Sequence, residues 1–214
     1  ETAKPYAETD ALGGYDPYSS SKACAELATA AYRRSFMAGA GIGVASARAG
    51  NVIGGGDWAA DRLIPDFFRA LDAGEPLIVR YPQAVRPWQH VLEPLAGYLL
   101  LAERLAVQPD AFADAWNFGP QDADAQTVAW VLDRLSHAQP NAAWRAETAP
   151  QPHEAGLLKL DSAKACAALG WRPRWDLATA LDKTLAWREA WRRGDDMRAQ
   201  TAAQIDDYGR AVAA

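Results

Sequence analysis

Strand-like and helix-like segments alternate along the first 120 residues of this chain. Such an alternation predicts an α/β fold in which helices cover a parallel sheet. One of the strand patterns, residues 42–48, leads into Asn51 and then into the glycine run Gly54-Gly55-Gly56. Because an open α/β sheet presents its ligand site at the ends of such strands, we expect a binding site near residues 51–58.

Hydrophobic periodicity and turn residues divide the chain into short elements. Gly170 should end one helix, and Asp161 and Ser162 should cap its start. The predicted helices cover residues 19–37, 63–73, 93–107, 127–137, 163–169 and 177–193, and the further predicted strands cover residues 77–79, 85–91, 115–118, 143–146 and 157–160.

Tyr18 and Lys22 share one face of the first predicted helix, because residues four apart on a helix are neighbours. Pro17 suits the first turn, where no amide hydrogen is needed. A phenol is a poor base until its pKa falls from about 10, and a nearby ammonium favours its ionised form. Such a pair could exchange a proton with a substrate hydroxyl near neutral pH. A core tyrosine beside a solvated lysine is the alternative interpretation.

Charge and composition limit the classes of partner. The chain has 22 basic and 27 acidic residues, a net charge of −5 and no basic tract, so we do not expect nucleic-acid binding. We recognise no transmembrane run and no signal peptide, and so expect no membrane partner. Cys24 and Cys166 lack the spacing of metal ligands, and we interpret them as buried thiols. These features predict a cytoplasmic protein without a metal site.

Four uncommon strings occur in an order typical of one superfamily. They are Gly-Gly-Tyr-Asp-Pro-Tyr-Ser-Ser-Ser-Lys (13–22), Arg-Ala-Gly-Asn-Val-Ile-Gly-Gly-Gly-Asp-Trp (48–58), Arg-Pro-Trp-Gln-His-Val (86–91) and Trp-Asn-Phe-Gly-Pro (116–120). By these strings the chain resembles the extended, sugar-nucleotide-modifying branch of the short-chain dehydrogenase/reductase superfamily. Within that branch it is most similar to the CDP-glucose 4,6-dehydratase family, and the resemblance runs nearly from end to end.

The resemblance implies NAD as the cofactor, CDP-glucose as the substrate and a homodimer or larger homo-oligomer as the assembly. In this family a hydride passes from C4 of the sugar to NAD, water is lost from C5 and C6, and the hydride returns to C6. The positions of Tyr18 and Lys22 are catalytic and contact the cofactor: the tyrosine is the acid/base, and the lysine holds the nicotinamide ribose.

The resemblance also implies a set of substrate-binding residues. Arg86 would grip the diphosphate through parallel hydrogen bonds, unless it forms a surface salt bridge. Asn51 would donate to a phosphate or a sugar hydroxyl, and Arg62 lies in a segment that covers the nucleotide end of the substrate. Trp58 either stacks on a base or packs in the core.

His153 and Glu154 stand where many relatives carry a diphosphate-binding arginine. The CDP-glucose dehydratases share the His-Glu pair, so we expect both residues to contact substrate, with the role of each left open.

The chain contains no Gly-x-Gly-x-x-Gly fingerprint. We therefore expect the C-terminal part of such an enzyme, roughly its last three fifths, which would neither bind NAD tightly nor turn over alone. The family's elimination residues are expected in a motif just upstream of this segment and not among its residues. Residues 1–60 and 85–120 are assigned to the C-terminal part of a Rossmann-like parallel sheet, residues 61–84 and 121–195 to a small mixed α/β substrate domain, and residues 196–214 to a tail.

Two alternatives stay open. Other sugar-nucleotide epimerases and dehydratases of the branch share Tyr18, Lys22 and Arg86. A nucleotide-sugar-binding or regulatory protein that has lost catalysis could also keep the fold.

Overall fold

The computed structural model describes residues 4–149 and 156–211. Its strands are β1 (Ser46–Ala49), β2 (Asn51–Ile53), β3 (Leu77–Val79), β4 (Val85–His90), β5 (Ala115–Phe118), β6 (Ala125–Thr127) and β7 (Trp144–Ala146). Its α-helices are α1 (Pro17–Tyr32), α2 (Leu63–Ala73), α3 (Leu92–Val107), α4 (Pro109–Phe112), α5 (Val128–Ala138), α6 (Ala163–Leu169), α7 (Leu177–Arg193) and α8 (Met197–Arg210).

Parallel pairing dominates the described strands, as the alternation of elements predicts. β1 pairs with β5, β2 with β4, and β3 with β7, all in parallel. β6 lies antiparallel to β4, so β4 has a partner on each side. This short strand has no alternating apolar pattern, and the sequence did not predict it. The prediction of a mixed α/β fold is confirmed.

Two clusters of buried apolar side chains hold the elements together. The larger joins β2 and β4 to α2, α5 and α7, and the smaller joins α3, β5 and α6. The larger cluster includes Ile53, Phe67, Trp88, Leu132, Leu135 and Leu181, and the smaller includes Leu101, Trp116, Phe118, Leu169 and Trp171. The cluster members that lie on helices recur at helical spacing. This explains why the sequence predicted most helices within a few residues of their observed bounds.

The predicted end of the first helix, at residue 37, is wrong. The α-helix stops at Tyr32, and a wider π-helical turn covers Arg33–Met37 before a 3₁₀ turn at Ala38–Ala40. Ala23 is the one buried residue of α1. Cys24 lies on the same helix and is exposed, so its prediction as a buried thiol is also wrong.

The segment before α6 differs from its prediction in two ways. Residues 157–160 form isolated bridges and no continuous strand, because Leu157 pairs with Val85 whereas Leu160 pairs with Tyr6. Asp161 accepts a hydrogen bond from the Ala163 amide, as a capping residue does, but the Ser162 hydroxyl instead accepts one from the amide of Gly119. Ser162 therefore connects this segment to the end of β5.

The last helix is held by one buried carboxylate. Tyr208 on α8 donates a hydrogen bond of 2.7 Å to Glu93, which lies fully buried in the first turn of α3. The amides of Arg174 and Trp175 donate to the same carboxylate. Burial raises the pKa of Glu93. Among residues 4–149 and 156–211, no helix combines the length and the hydrophobicity needed to cross a membrane.

Candidate active site

One open cleft of about 1270 Å³ brings together side chains from separate parts of the chain. Its walls include Tyr18 at the start of α1, Asn51 on β2, Arg62 just before α2 and Arg86 on β4. All four are site residues that the sequence predicted. The structure therefore groups around one cleft the positions that the motifs marked in distant strings.

Tyr18 and Lys22 lie on the same face of α1. The Nζ atom of Lys22 is 5.4 Å from the centre of the Tyr18 ring, and Tyr18 is 67% exposed. Asp16 caps the helix, since its carboxylate accepts hydrogen bonds from the Ser19 amide and hydroxyl, which also lower the pKa of Asp16. With Pro17 in the first turn, this cap fixes where α1 begins and presents Tyr18 to the cleft.

Asn51 and Arg86 occupy the wall that β2 and β4 form. In the parallel register Asn51 stands opposite Trp88, two residues along β4 from Arg86, so the two side chains share one face of the pair. Arg86 is only 8% exposed, and its Nη1 atom donates to the carbonyl oxygen of Val85 at 3.0 Å. A guanidinium and an amide on one wall suit an anionic, hydroxyl-bearing ligand.

Arg62 lies at the rim of the cleft, in an extended conformation directly before α2. The preceding residue, Asp61, has a φ of 59° and is the one described non-glycine residue with positive φ. Aspartate is among the few residues that adopt this left-handed conformation readily. The bend at Asp61 turns the chain from the glycine-rich loop into α2.

The glycine-rich loop packs against α7. A Cβ atom on Gly55 would lie 2.1 Å from Cγ of Trp187, so only glycine fits this approach. Trp58 lies 4.6 Å, ring centre to ring centre, from Trp191. Asp57 lines the cleft. Trp58 contacts Trp191 on α7 but is 51% exposed, so the interpretation that it packs in the core is wrong, and stacking on a base stays a prediction.

Sequence reasoning missed an ion pair beneath α1. Glu26 accepts hydrogen bonds from Nη2 of Arg48 at 2.8 Å and from the Ser46 hydroxyl at 2.7 Å, both from β1. The hydrogen bond from Arg48 lowers the pKa of Glu26. Glu26 follows Tyr18 and Lys22 at the next four-residue step, so helical spacing could have singled it out.

The predicted contact residues His153 and Glu154 lie outside the described residues. The chain resumes beside the cleft wall, since the Val85 amide donates to the carbonyl oxygen of Gly156, and the Leu158 amide donates to that of Val85. In the described part of the chain, no group of three or more His, Cys, Asp or Glu side chains is placed to hold a metal ion.

Known proteins resemble this chain in sequence. The family model described as GDP-mannose 4,6 dehydratase matches residues 1–184. A CDP-glucose 4,6-dehydratase from Salmonella typhimurium (strain LT2) is 49% identical over 213 residues, which cover 97% of this chain and 59% of that relative. The chain therefore spans less than two thirds of the length of this curated relative.

Solved structures resemble it in fold. A UDP-glucose-4-epimerase from Stenotrophomonas maltophila with bound NAD has a TM-score of 0.73 at 19% identity, and covers 91% of this chain and 61% of that chain. A dTDP-glucose 4,6-dehydratase from Bacillus anthracis in complex with NAD has a TM-score of 0.68 at 20% identity, and covers 88% of this chain and 57% of that chain. At such identities the likeness shows the fold, and it confirms the predicted Rossmann-like class.

Proposed function

The chain belongs to the GDP-mannose 4,6-dehydratase family, and we propose that the whole protein carrying it converts CDP-glucose into CDP-4-keto-6-deoxyglucose and water. The choice of CDP-glucose is supported by the 49% identity to a relative of that name, along 97% of this chain. It is also supported by the strings at residues 13–22 and 48–58, which favour a CDP-glucose dehydratase over the other sugar-nucleotide enzymes of the branch.

One observation carries the proposal. Tyr18, with the Lys22 ammonium 5.4 Å from its ring, lines the same cleft as the guanidinium of Arg86 and the amide of Asn51. A proton-transferring phenol therefore stands in the same cleft as groups that suit a diphosphate and a sugar. This is the combination that chemistry on the sugar of a nucleotide sugar requires.

The residues present fit NAD as the cofactor. Lys22 is exposed and makes no ion pair with any residue that the structure describes, so its three N–H donors are available to ribose hydroxyls. Tyr18 and Lys22 would hold the nicotinamide ribose from α1. When bound, NAD accepts a hydride from the sugar and later returns it.

The chain's own residues would divide the remaining work. The Tyr18 oxygen accepts the proton of the sugar C4 hydroxyl, and the Lys22 ammonium stabilises the phenolate that makes this possible. Arg86 binds the diphosphate as a charged hydrogen-bond donor, and Asn51 orients the sugar or a phosphate. Arg62 closes the nucleotide end of the cleft.

Several parts of this account stay predictions from the sequence. They are substrate contacts by His153 and Glu154, the division into a Rossmann part and a substrate domain, the homodimer or larger homo-oligomer, and the cytoplasmic location. The structure offers one supporting fact for the first, because the backbone that follows Glu154 resumes at Gly156 beside Val85, next to Arg86.

The test is an assay of the whole protein, supplied with NAD, against CDP-glucose, dTDP-glucose, UDP-glucose and GDP-mannose. Mass spectrometry of the products separates the outcomes, because dehydration removes one water whereas epimerisation leaves the mass unchanged. We expect CDP-glucose to lose water with the highest kcat/KM. Preference for another nucleotide sugar would correct the substrate, a product of unchanged mass would indicate an epimerase, and binding without turnover would indicate a binding protein.

A further inference from the structure

Three functional side chains follow one face of α1 at four-residue steps: Tyr18, Lys22 and Glu26. Lys22 stands in the middle, one helical turn from the other two. On a helix, a lysine and a glutamate four residues apart attract each other. Lys22 therefore has two neighbours within reach, the ring of Tyr18 on one side and the carboxylate of Glu26 on the other.

The structure shows that Lys22 takes the first of these neighbours. Its Nζ atom lies 5.4 Å from the centre of the Tyr18 ring, and it forms no ion pair with Glu26. The Oε2 atom of Glu26 instead accepts hydrogen bonds from Arg48 at 2.8 Å and from Ser46 at 2.7 Å, both on β1. The Glu26 and Arg48 side chains are 17% and 23% exposed, so their hydrogen bonds are partly shielded from water.

We propose that Arg48 is a positioning residue, which occupies the carboxylate of Glu26 and so leaves the ammonium of Lys22 beside Tyr18. Without Arg48, a half-buried carboxylate would lack its cation, and Lys22 is the cation one helical turn away. Lys22 would then turn towards Glu26 and stop stabilising the phenolate of Tyr18. The catalytic consequence rests on the proposed function, whereas the placement of Lys22 does not.

Other charged groups also face this pair. Arg33, on the turn that follows α1, attracts Glu26 but forms its own ion pair with Asp114 at 3.5 Å. Glu8 and Asp114 attract Arg48 from the N-terminal segment and from the turn before β5. Of the described cations, Arg48 is the one that donates a hydrogen bond to Glu26.

The first experiment measures kcat/KM against pH for the whole protein and its Arg48→Met variant. Since Met fills a similar length without charge, Glu26 loses its cation. We expect the acid limb of the profile to move to higher pH, because a phenol that loses a neighbouring cation ionises less readily. The double variant Arg48→Met/Glu26→Gln should return the acid limb to its wild-type pH, since a neutral amide does not attract Lys22. Arg48→Lys, which keeps a cation, should leave the acid limb at its wild-type pH.

The second experiment needs no turnover. The ring of Tyr18 shifts the NMR signals of the Lys22 side-chain methylene groups when the two are in contact. In protein with isotope-labelled lysine, this ring-current shift should be lost in Arg48→Met and regained in the double variant. Arg188→Met is the matched control, because Arg188 is a buried arginine paired with Asp72, away from α1. It should lower stability without moving the Lys22 signals or the acid limb.

The outcomes test the placement of Lys22 separately from its catalytic consequence. If Arg48→Met moves neither the Lys22 signals nor the acid limb, or if the double variant restores neither, Arg48 serves the structure only and the proposal is overturned. If the Lys22 signals move as expected in a protein that turns over no nucleotide sugar, the positioning role stands and the proposed function fails.

Discussion

His90 should make the protein sensitive to acid. It lies on β4 and is 1% exposed, with its ring 4.9 Å from that of Trp175 in an edge-on contact. Its Nδ1 atom accepts a hydrogen bond from the Leu92 amide, so the ring is neutral with the proton on Nε2. The Nε2 atom is buried without a hydrogen-bond partner among the described residues. Burial, with a smaller contribution from Lys183, lowers the pKa of His90 from 6.5 to about 4.

The size and sign of the effect follow from this pKa. Between pH 6.5 and about pH 4, this histidine is protonated in the unfolded chain but neutral in the folded chain. The stability contributed by the neutral ring is therefore complete above pH 6.5 and is lost as the pH falls towards 4. The full difference corresponds to about 3 kcal/mol, of which about 2 kcal/mol is lost between pH 7 and pH 5.

A substitution isolates this contribution from every other titration. His90→Asn keeps an acceptor near the Leu92 amide but cannot become charged. Urea denaturation at several pH values gives the free energy of unfolding of both proteins, and the wild-type value minus the variant value should fall by about 2 kcal/mol from pH 7 to pH 5. A difference that stays flat from pH 7 to pH 5 for His90→Asn would refute the reasoning.

Two further predictions concern the contacts that hold the C-terminal helices. Tyr208→Phe removes a buried hydrogen bond to Glu93 and should lower the free energy of unfolding by about 1 to 3 kcal/mol; urea denaturation measures this, and a change below about 0.5 kcal/mol would contradict it. Gly55→Ala forces a methyl group onto the ring of Trp187 and should destabilise by about 1 to 3 kcal/mol while raising KM, because Gly55 lines the cleft. Gly39→Ala, with open space around it, is the matched control, and equal losses in both variants would contradict the packing argument.

Local signals explain why some elements were predictable. α6 and α7 have the bounds that the sequence predicts, because apolar spacing coincides with clear endings: Gly170 and Gly194 both adopt the left-handed conformation after the last helical residue. The start of α1 lies two residues before the predicted first residue, Ser19, although Pro17 is itself typical of a first turn.

Elements that depend on distant partners were not predictable. β6 has the sequence Ala-Gln-Thr, without an apolar pattern, and forms because its backbone pairs with the edge of β4. Residues 157–160 looked like one strand, but their backbone partners are Val85 for one end and Tyr6 for the other. No signal within a segment reveals which neighbours the fold will place beside it.

The same distinction applies to the site. The motifs identified Tyr18, Asn51, Arg62 and Arg86, and the structure places all four around one cleft. The partner of Glu26 could not be predicted in this way, because Arg48 reaches it from a strand that begins about twenty residues later in the chain. Tertiary contacts decide such pairs.

Turnover by the Tyr18→Phe variant of the whole protein tests the central claim most directly. That claim is that this phenol, which lines the cleft and lies beside Lys22, moves the proton of the reaction. The variant keeps the ring and loses only the hydroxyl, and Tyr15→Phe nearby, which does not line the cleft, is the matched control. We expect Tyr18→Phe to bind CDP-glucose nearly as well as wild type while kcat falls by a factor of about 100 or more. Undiminished turnover in that variant would contradict the account.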